Sequence, residues 1–269
     1  MSQTILITGS TDGIGLRTAR TLADLGHRIL LHGRSSSKLE AAAAELGGGI
    51  ETYAADLSRM AEVERLAAEV TARHDRLDVL INNAGVYKVP DARTPDGLDL
   101  RFMVNSFAPY VLTNALLPIL PSDGRIVNLS SAAQAPVDVS AMAGKTRLDD
   151  FAAYAQSKLA ITIWTRDFAA RHPDGPVAIA VNPGSLLASK MVKEGFGVAG
   201  NDIQIGADIL TAAATGDGFA TASGKYFDND AGRFSDPHPA ALDPSHVAQV
   251  MQAMDRITAD LRRKAQTGA

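Results

Sequence analysis

The chain reads as an α/β fold built on a doubly wound parallel sheet, and three observations carry that expectation. Short, uniformly apolar runs alternate with helical patterns along most of its length. Strands apolar on both faces belong in a sheet covered on both sides, and right-handed crossovers then place helices on each face. No repeat or linker divides the 269 residues, so one domain is expected over 1–269, long enough to bury a substantial core.

The elements follow in order. QTILIT opens as a short buried strand, and the segment from Gly13 to Leu25 is a helix whose apolar side includes Ile14, Leu16, Ala19 and Leu22. RILLHG is the second strand, with a helix from about Ser37 to Leu46 after it. IETYAA is the third strand and Arg59 to His74 the next helix. DVLINNAG is the fourth, followed by a long helix from about Asp96 to Leu117. GRIVNLSS is the fifth strand, a helix carries Tyr154, and VAIAVNPG is the sixth. Three stretches break the rhythm. Residues 132–150 delay the helix after the fifth strand, and 184–200 form a glycine-spaced connection. Residues 218–242 are rich in Gly, Asp and Pro, with GKYF as a possible last strand. Loops of that length in compact domains are often lids or binding segments. Asp243-Pro244 then starts a C-terminal helix with a capping residue and a proline at its first position.

Composition narrows the function. With 26 basic and 30 acidic residues, net charge −4 and no long run of one sign, a general nucleic-acid or anionic-membrane binder is not expected. The absence of cysteine excludes disulfides, thiolate zinc sites and a cysteine nucleophile. The N-terminus lacks the charged start and apolar core of a signal peptide, and no apolar run looks long enough to span a bilayer. A soluble cytoplasmic protein is the expectation. His238 and His246, with Asp236 and Asp243 nearby, have a spacing that fits no metal site and read as solvated loop residues. The lone Trp164 reads as core or subunit interface.

Directly after the first strand comes TGSTDGIG, Thr8 to Gly15. Gly9, Gly13 and Gly15 let the chain turn sharply, and the backbone of Ser10, Thr11, Asp12 and Ile14 can approach a diphosphate at the positive end of the following helix. The spacing is Gly-x-x-x-Gly-x-Gly rather than Gly-x-Gly-x-x-Gly. At the end of the second strand stands Arg34, with Ser35 and Lys38 close by. An acid at that place holds a ribose 2′-hydroxyl, whereas arginine accommodates a 2′-phosphate, so NADP is expected over NAD, with NAD possible. Asp12 opposes that lean by adding a negative charge, and Arg34 can also be read as an ordinary solvated side chain. Tyr154 and Lys158 lie four apart, stacked on one helix face. Alone they could be a boundary pair, the phenol packed and the ammonium reaching water.

Taken together, TGSTDGIG, Asp56-Leu57, NNAG (Asn82 to Gly85), Val104-Asn105, VNLSS ending at Ser131, Tyr154-x-x-x-Lys158 and Asn182-Pro183-Gly184 resemble, in order, the short-chain dehydrogenase/reductase family over roughly residues 4–190. The resemblance implies a Rossmann-type fold and an NAD(P)-dependent oxidoreductase interconverting a carbonyl and an alcohol. It implies Tyr154 as general acid in reduction and base in oxidation, and Ser131 as the group that holds the substrate oxygen. A free phenol is a poor base at neutral pH, and Lys158 together with an oxidised nicotinamide would lower its pKa. Asn105 would anchor a water that links Lys158 to solvent, or else merely bridge helices. Asp56, Leu57, Asn83, Ala84, Gly85, Tyr154, Lys158, Pro183 and Gly184 would join the glycine turn in contacting the cofactor. Ser130 and Ser131 point to opposite faces of a strand, and only the family pattern selects the second.

Two departures matter. Ser131 and Tyr154 lie 23 positions apart, a longer interval than the family usually has. That insertion, and the late GKYF, resemble the retinol-dehydrogenase-like branch. Ser189 stands near the place of a carboxamide-binding threonine, one position late. Val137, Met142, Leu186, Leu187, Met191 and Phe196 are expected to give the pocket partly apolar walls, and Gly195, Gly197 and Gly200 to let 184–200 close over a small, partly hydrophobic carbonyl or alcohol. The resemblance also implies a homodimer or homotetramer, paired through the helices around Asn105 and Tyr154. The alternative is a catalytically silent NADP(H)-binding regulator or scaffold.

Overall fold

A computed structural model describes residues 2–185, 187 and 200–267. β1 (Thr4–Ile7), β2 (Arg28–Gly33), β3 (Glu51–Ala54), β4 (Val79–Asn82), β5 (Arg125–Leu129), β6 (Val177–Asn182), β7 (Tyr226–Asp228) and β8 (Arg233–Ser235) form one sheet in the order β3-β2-β1-β4-β5-β6-β7-β8. All neighbours are parallel except β7 and β8, which pair antiparallel. The strand order runs outward from β1 to β3 on one side and from β4 onward on the other. The glycine turn and the NNAG turn therefore leave the sheet side by side, at the crevice where open α/β sheets bind ligands. β1, β4 and β5 are apolar on both faces, and their alternating residues divide between two cores.

The helices are α1 (Gly13–Asp24), α2 (Ser36–Glu45), α3 (Met60–Arg73), α4 (Leu100–Phe102), α5 (Ala108–Leu116), α6 (Val139–Met142), α7 (Asp150–Arg171), α8 (Ile203–Thr215) and α9 (Pro244–Thr267). Four features differ from expectation. The long helix over 96–117 is not continuous: α4 passes through a π turn, Met103–Phe107, before α5, and that turn carries Asn105. Such wide turns gather at functional sites. α8, which the sequence reading does not include, packs against α1; its buried residues Gly206, Ala207, Leu210, Ala213 and Ala214 fall on one stripe and Gln204, Asp208, Thr211 and Thr215 on another. β8 is a three-residue edge strand with too little sequence to mark it. The segment Leu100–Ile119 is, by length and composition, apolar enough to cross a membrane, contrary to the expectation of no such run; most of it is buried in the core.

The insertion over 132–150 is tied down on several sides. Asp138 caps α6 through Ser140 N, and its own N–H donates to Gln156 Oε1 at 2.9 Å. Val137 N donates to His246 Nε2 at 3.2 Å, and His238 N to Gln134 Oε1 at 2.9 Å. His238 and His246 are thus half-buried fastenings, not loose loop residues. Val137 and Met142 are buried in the core and do not form an open pocket wall; an apolar residue in an insertion can serve either end, and the capped α6 turns these two inward. α9 packs against α3 and α7, and Tyr110 Oη donates to Asp255 Oδ1 at 2.6 Å. The chain's own C-terminal helix thus covers part of the surface of α7. Trp164 lies in the core, edge-on to Tyr110 at 5.7 Å.

Candidate active site and cofactor crevice

The glycine turn is fixed by its neighbours. Gly9 and Gly13 have positive φ, 65° and 59°. A Cβ on Gly15 would stand 2.4 Å from Gly9 O and 2.4 Å from Asn83 Nδ2, so only glycine fits there. Asn83 donates to Thr8 O and Gly9 O, both at 2.9 Å, and Ala84 N donates to Thr8 Oγ1 at 3.1 Å. The NNAG turn thus bolts the first turn in place. Ser10 spends both its polar groups on the fold: its N–H donates to His32 O and its hydroxyl to Ile7 O. This side chain is fully buried. Gly9 N–H likewise donates to His32 Nδ1 at 3.1 Å. The donors that remain belong to the start of α1, where Asp12 occupies the capping position without a side-chain capping bond. An uncapped helix N-terminus behind a glycine turn fits a diphosphate.

At the end of β2, Arg34 is exposed. Lys38 Nζ lies 3.6 Å from Asp12 Oδ2, which offsets the acid that opposed a 2′-phosphate, weakly, since both side chains are solvated. Asp56 accepts from Ser58 N at 2.9 Å while its own N–H donates to Glu62 Oε2 at 2.6 Å; Leu57 is buried in the core.

At the other end of the crevice, α7 presents Tyr154 and Lys158 on one face. Tyr154 is half-buried and Lys158 is buried, its Nζ 5.6 Å from the centre of the Tyr154 ring. Lys158 Nζ donates to Leu129 O at 2.7 Å. An ammonium has three donors, so two more point at this crevice, which fits ribose hydroxyls. A Cβ on Gly85 would approach Lys158 Nζ to 3.5 Å and Asn105 Oδ1 to 3.4 Å; glycine keeps that floor open. Asn105 donates to Val86 O at 3.0 Å and Ser157 Oγ at 2.9 Å, and accepts from Val86 N at 2.8 Å. Its side chain therefore bridges the NNAG loop to α7.

The two serines separate cleanly. Ser130 Oγ is buried against Lys158 O and Thr162 Oγ1. The Ser131 hydroxyl instead faces the Tyr154 phenol and favours its ionised form. Burial pushes the Tyr154 phenol up from its ordinary value, and the nearby Tyr87, whose ring packs edge-on at 5.1 Å, raises it further. Burial also depresses Lys158 itself, to about 8. Asn82 donates to Asn128 Oδ1 at 2.8 Å and Thr113 Oγ1 at 3.1 Å inside the sheet, away from the crevice.

Gly184 has φ 121°, and its N–H donates to Asn182 Oδ1 at 3.3 Å. Leu187 is buried close to Gly184 and Gly206. Ser189, Leu186, Met191, Phe196, Gly195 and Gly197 lie outside the described residues; Gly200 is exposed with φ 79°.

A parallel sheet with an uncapped glycine-turn helix at its switch point, facing a serine, tyrosine and lysine, defines a dinucleotide-dependent oxidoreductase. The model of the short chain dehydrogenase family matches residues 3–196. Retinol dehydrogenase 13 of Homo sapiens is 34% identical over 251 residues, covering 84% of this chain and 76% of that protein. A crystal structure of a protein from Mycobacterium paratuberculosis superposes with TM-score 0.79 at 30% identity, covering 96% of this chain and 93% of that one. A short chain dehydrogenase from Shigella flexneri complexed with NADP superposes with TM-score 0.68 at 28% identity, covering 85% and 97%. The chain belongs to the short-chain dehydrogenase family, on its retinol-dehydrogenase-like branch, and is an NAD(P)-dependent oxidoreductase.

Proposed function

We propose that the protein is an NADP-preferring reductase or dehydrogenase that interconverts an apolar carbonyl compound and its alcohol. One observation carries the reading: the Ser131 hydroxyl lies within hydrogen-bonding reach of the Tyr154 phenol, and the buried Lys158 Nζ stands 5.6 Å from that ring's centre, beside the NNAG turn. A bound nicotinamide supplies the hydride chemistry and, when oxidised, a positive charge beside the phenol. Ser131 holds the substrate oxygen by donating a hydrogen bond to it. Tyr154 gives that oxygen a proton in reduction and takes one back in oxidation. Lys158 sets an ammonium beside the phenol, which favours the phenolate left when Tyr154 gives up its proton. Asn105 keeps Ser157 and the NNAG loop in register with these groups. The remaining donors of Lys158, Gly85 and the start of α1 would hold the cofactor. Arg34 and Lys38 together favour a 2′-phosphate.

For the substrate we propose a hydrophobic aldehyde or primary alcohol, supported by the retinol dehydrogenase to which the chain is similar. A cytoplasmic setting, with no nucleic-acid or membrane partner, is part of the same reading. An assay of NADPH and NADH absorbance against a panel of aldehydes and ketones, retinal included, tests it. Turnover with NADPH favoured is expected. Tight NADPH binding without turnover across the panel would instead make the protein a silent NADP(H) sensor.

A further inference from the structure

β7 and the three residues Asp228, Asn229 and Asp230 at its end lie far along the chain from every motif of the active site, yet they hold two of its turns. Tyr226 Oη donates to Ser131 O at 3.1 Å. Asn182, buried at the end of β6, donates through Nδ2 to Asp228 Oδ1 and to Asp230 Oδ2, both at 2.9 Å. Asn229 Nδ2 donates to Pro183 O at 3.0 Å. Ser185 N donates to Asp230 Oδ1 at 2.8 Å, and Ser185 Oγ donates to Asp230 Oδ2 at 2.5 Å. Every residue of the turn after β6 except Gly184 is thus gripped from β7, and Gly184 N–H is held by Asn182 Oδ1.

We propose that Asp230 is a positioning residue for the nicotinamide half of the cofactor site. It acts through the Asn182–Ser185 turn, and the proposal rests on the oxidoreductase reading above. Three donors converge on one carboxylate: a backbone N–H, a hydroxyl and a buried amide. Burial raises the Asp230 pKa, but the Ser185 and Asn182 donors outweigh it and hold the carboxyl below its usual value, the mark of a carboxylate engaged as an acceptor. An amide at 230 would put an N–H against one of these donors, and alanine would leave the Ser185 N–H and hydroxyl without their acceptor and Asn182 with Asp228 alone. The turn would then be free to drift while the glycine turn at β1 stayed as it is, because among the described residues no hydrogen bond joins the two.

That asymmetry is what an experiment can read. The probes are NADP and 2′-phospho-ADP-ribose, the same molecule without its nicotinamide, titrated by calorimetry into wild type, Asp230→Ala, Asp230→Asn and Ser185→Ala. Wild type is expected to bind both. Asp230→Ala is expected to weaken NADP about tenfold, the scale of a hydrogen bond to a charged group, with the fragment unchanged within about twofold. Asp230→Asn and Ser185→Ala should show smaller losses in the same sense, and they keep the test open should the alanine variant not fold. Equal loss for both probes, or no loss for either, overturns the positioning role and leaves the oxidoreductase reading standing. A wild type that binds neither probe overturns the NADP-preferring reading and this one with it.

Discussion

His32 shows how one side chain sets the crevice. It is buried, accepts from Gly9 N–H through Nδ1, and has Nε2 3.1 Å from Ala55 O. Since a carbonyl only accepts, the ring is the neutral tautomer with its proton on Nε2. Burial pushes its pKa down to about 4. The folded value lies below the unfolded one, near 6.5, so the unfolded chain binds more protons between them. The stability His32 contributes is complete above about pH 6.5 and is lost as pH falls through about 4, some 3 kcal/mol at the limit. Melting followed from pH 7 to 4 should show this acid slope flattened in His32→Asn, which keeps an acceptor for Gly9; an unchanged slope refutes the assignment. Lys158 works in the same sense at higher pH. Its folded value of about 8 lies below the usual lysine range. Wild type therefore gains stability as pH rises from about 8 to 10.5, whereas Lys158→Met, inactive but relieved of a buried ammonium, should not. At the end of β2, Arg34→Asp is expected to move the preference ratio of NADP over NAD by at least about tenfold toward NAD, since an acid there would bond a 2′-hydroxyl and repel a 2′-phosphate. Initial rates with both cofactors decide it, and an unaltered ratio would remove Arg34 as selector.

Between elements, the decisive contact is β4 against the β1 turn. Gly15→Ala must push either Asn83 or Gly9 O aside, because both stand 2.4 Å from the added carbon. Cofactor binding is expected to fall below detection by calorimetry while the far-ultraviolet dichroism stays native-like; retention of wild-type affinity would show that the turn can give way. At this scale the sequence was partly readable. The strands from β1 to β6 and the ordered motifs stood out because apolar runs, glycines and the Tyr154–Lys158 spacing are local signals. The choice of Ser131 over Ser130 was not local, and only the packing of Ser130 against Thr162 shows why. α8 has the helical spacing of apolar residues but carries no motif and went unread, and the Asp228–Asp230 grip was not legible because its partners are some 45 positions away. Val137 and Met142 were misplaced on a pocket wall, since hydrophobicity does not say which cavity a residue faces.

For the whole molecule, α9 is the piece that composition and motifs could not place. Its buried side, from Val250 to Leu261, joins the core beneath α3 and α7, and Arg262 reaches Glu64 at 2.8 Å. With that face covered, light scattering is expected to return a single chain of 28.2 kDa; a dimer joined through α7 would contradict it. Proton transfer by the Tyr154 phenol underlies the whole reaction, and removing its oxygen alone isolates that step. Turnover of Tyr154→Phe, measured on a carbonyl that wild type reduces and with NADPH binding verified by calorimetry, should fall by about 10²–10⁴ at nearly unchanged cofactor affinity. A variant that turns over at the wild-type rate would contradict the account.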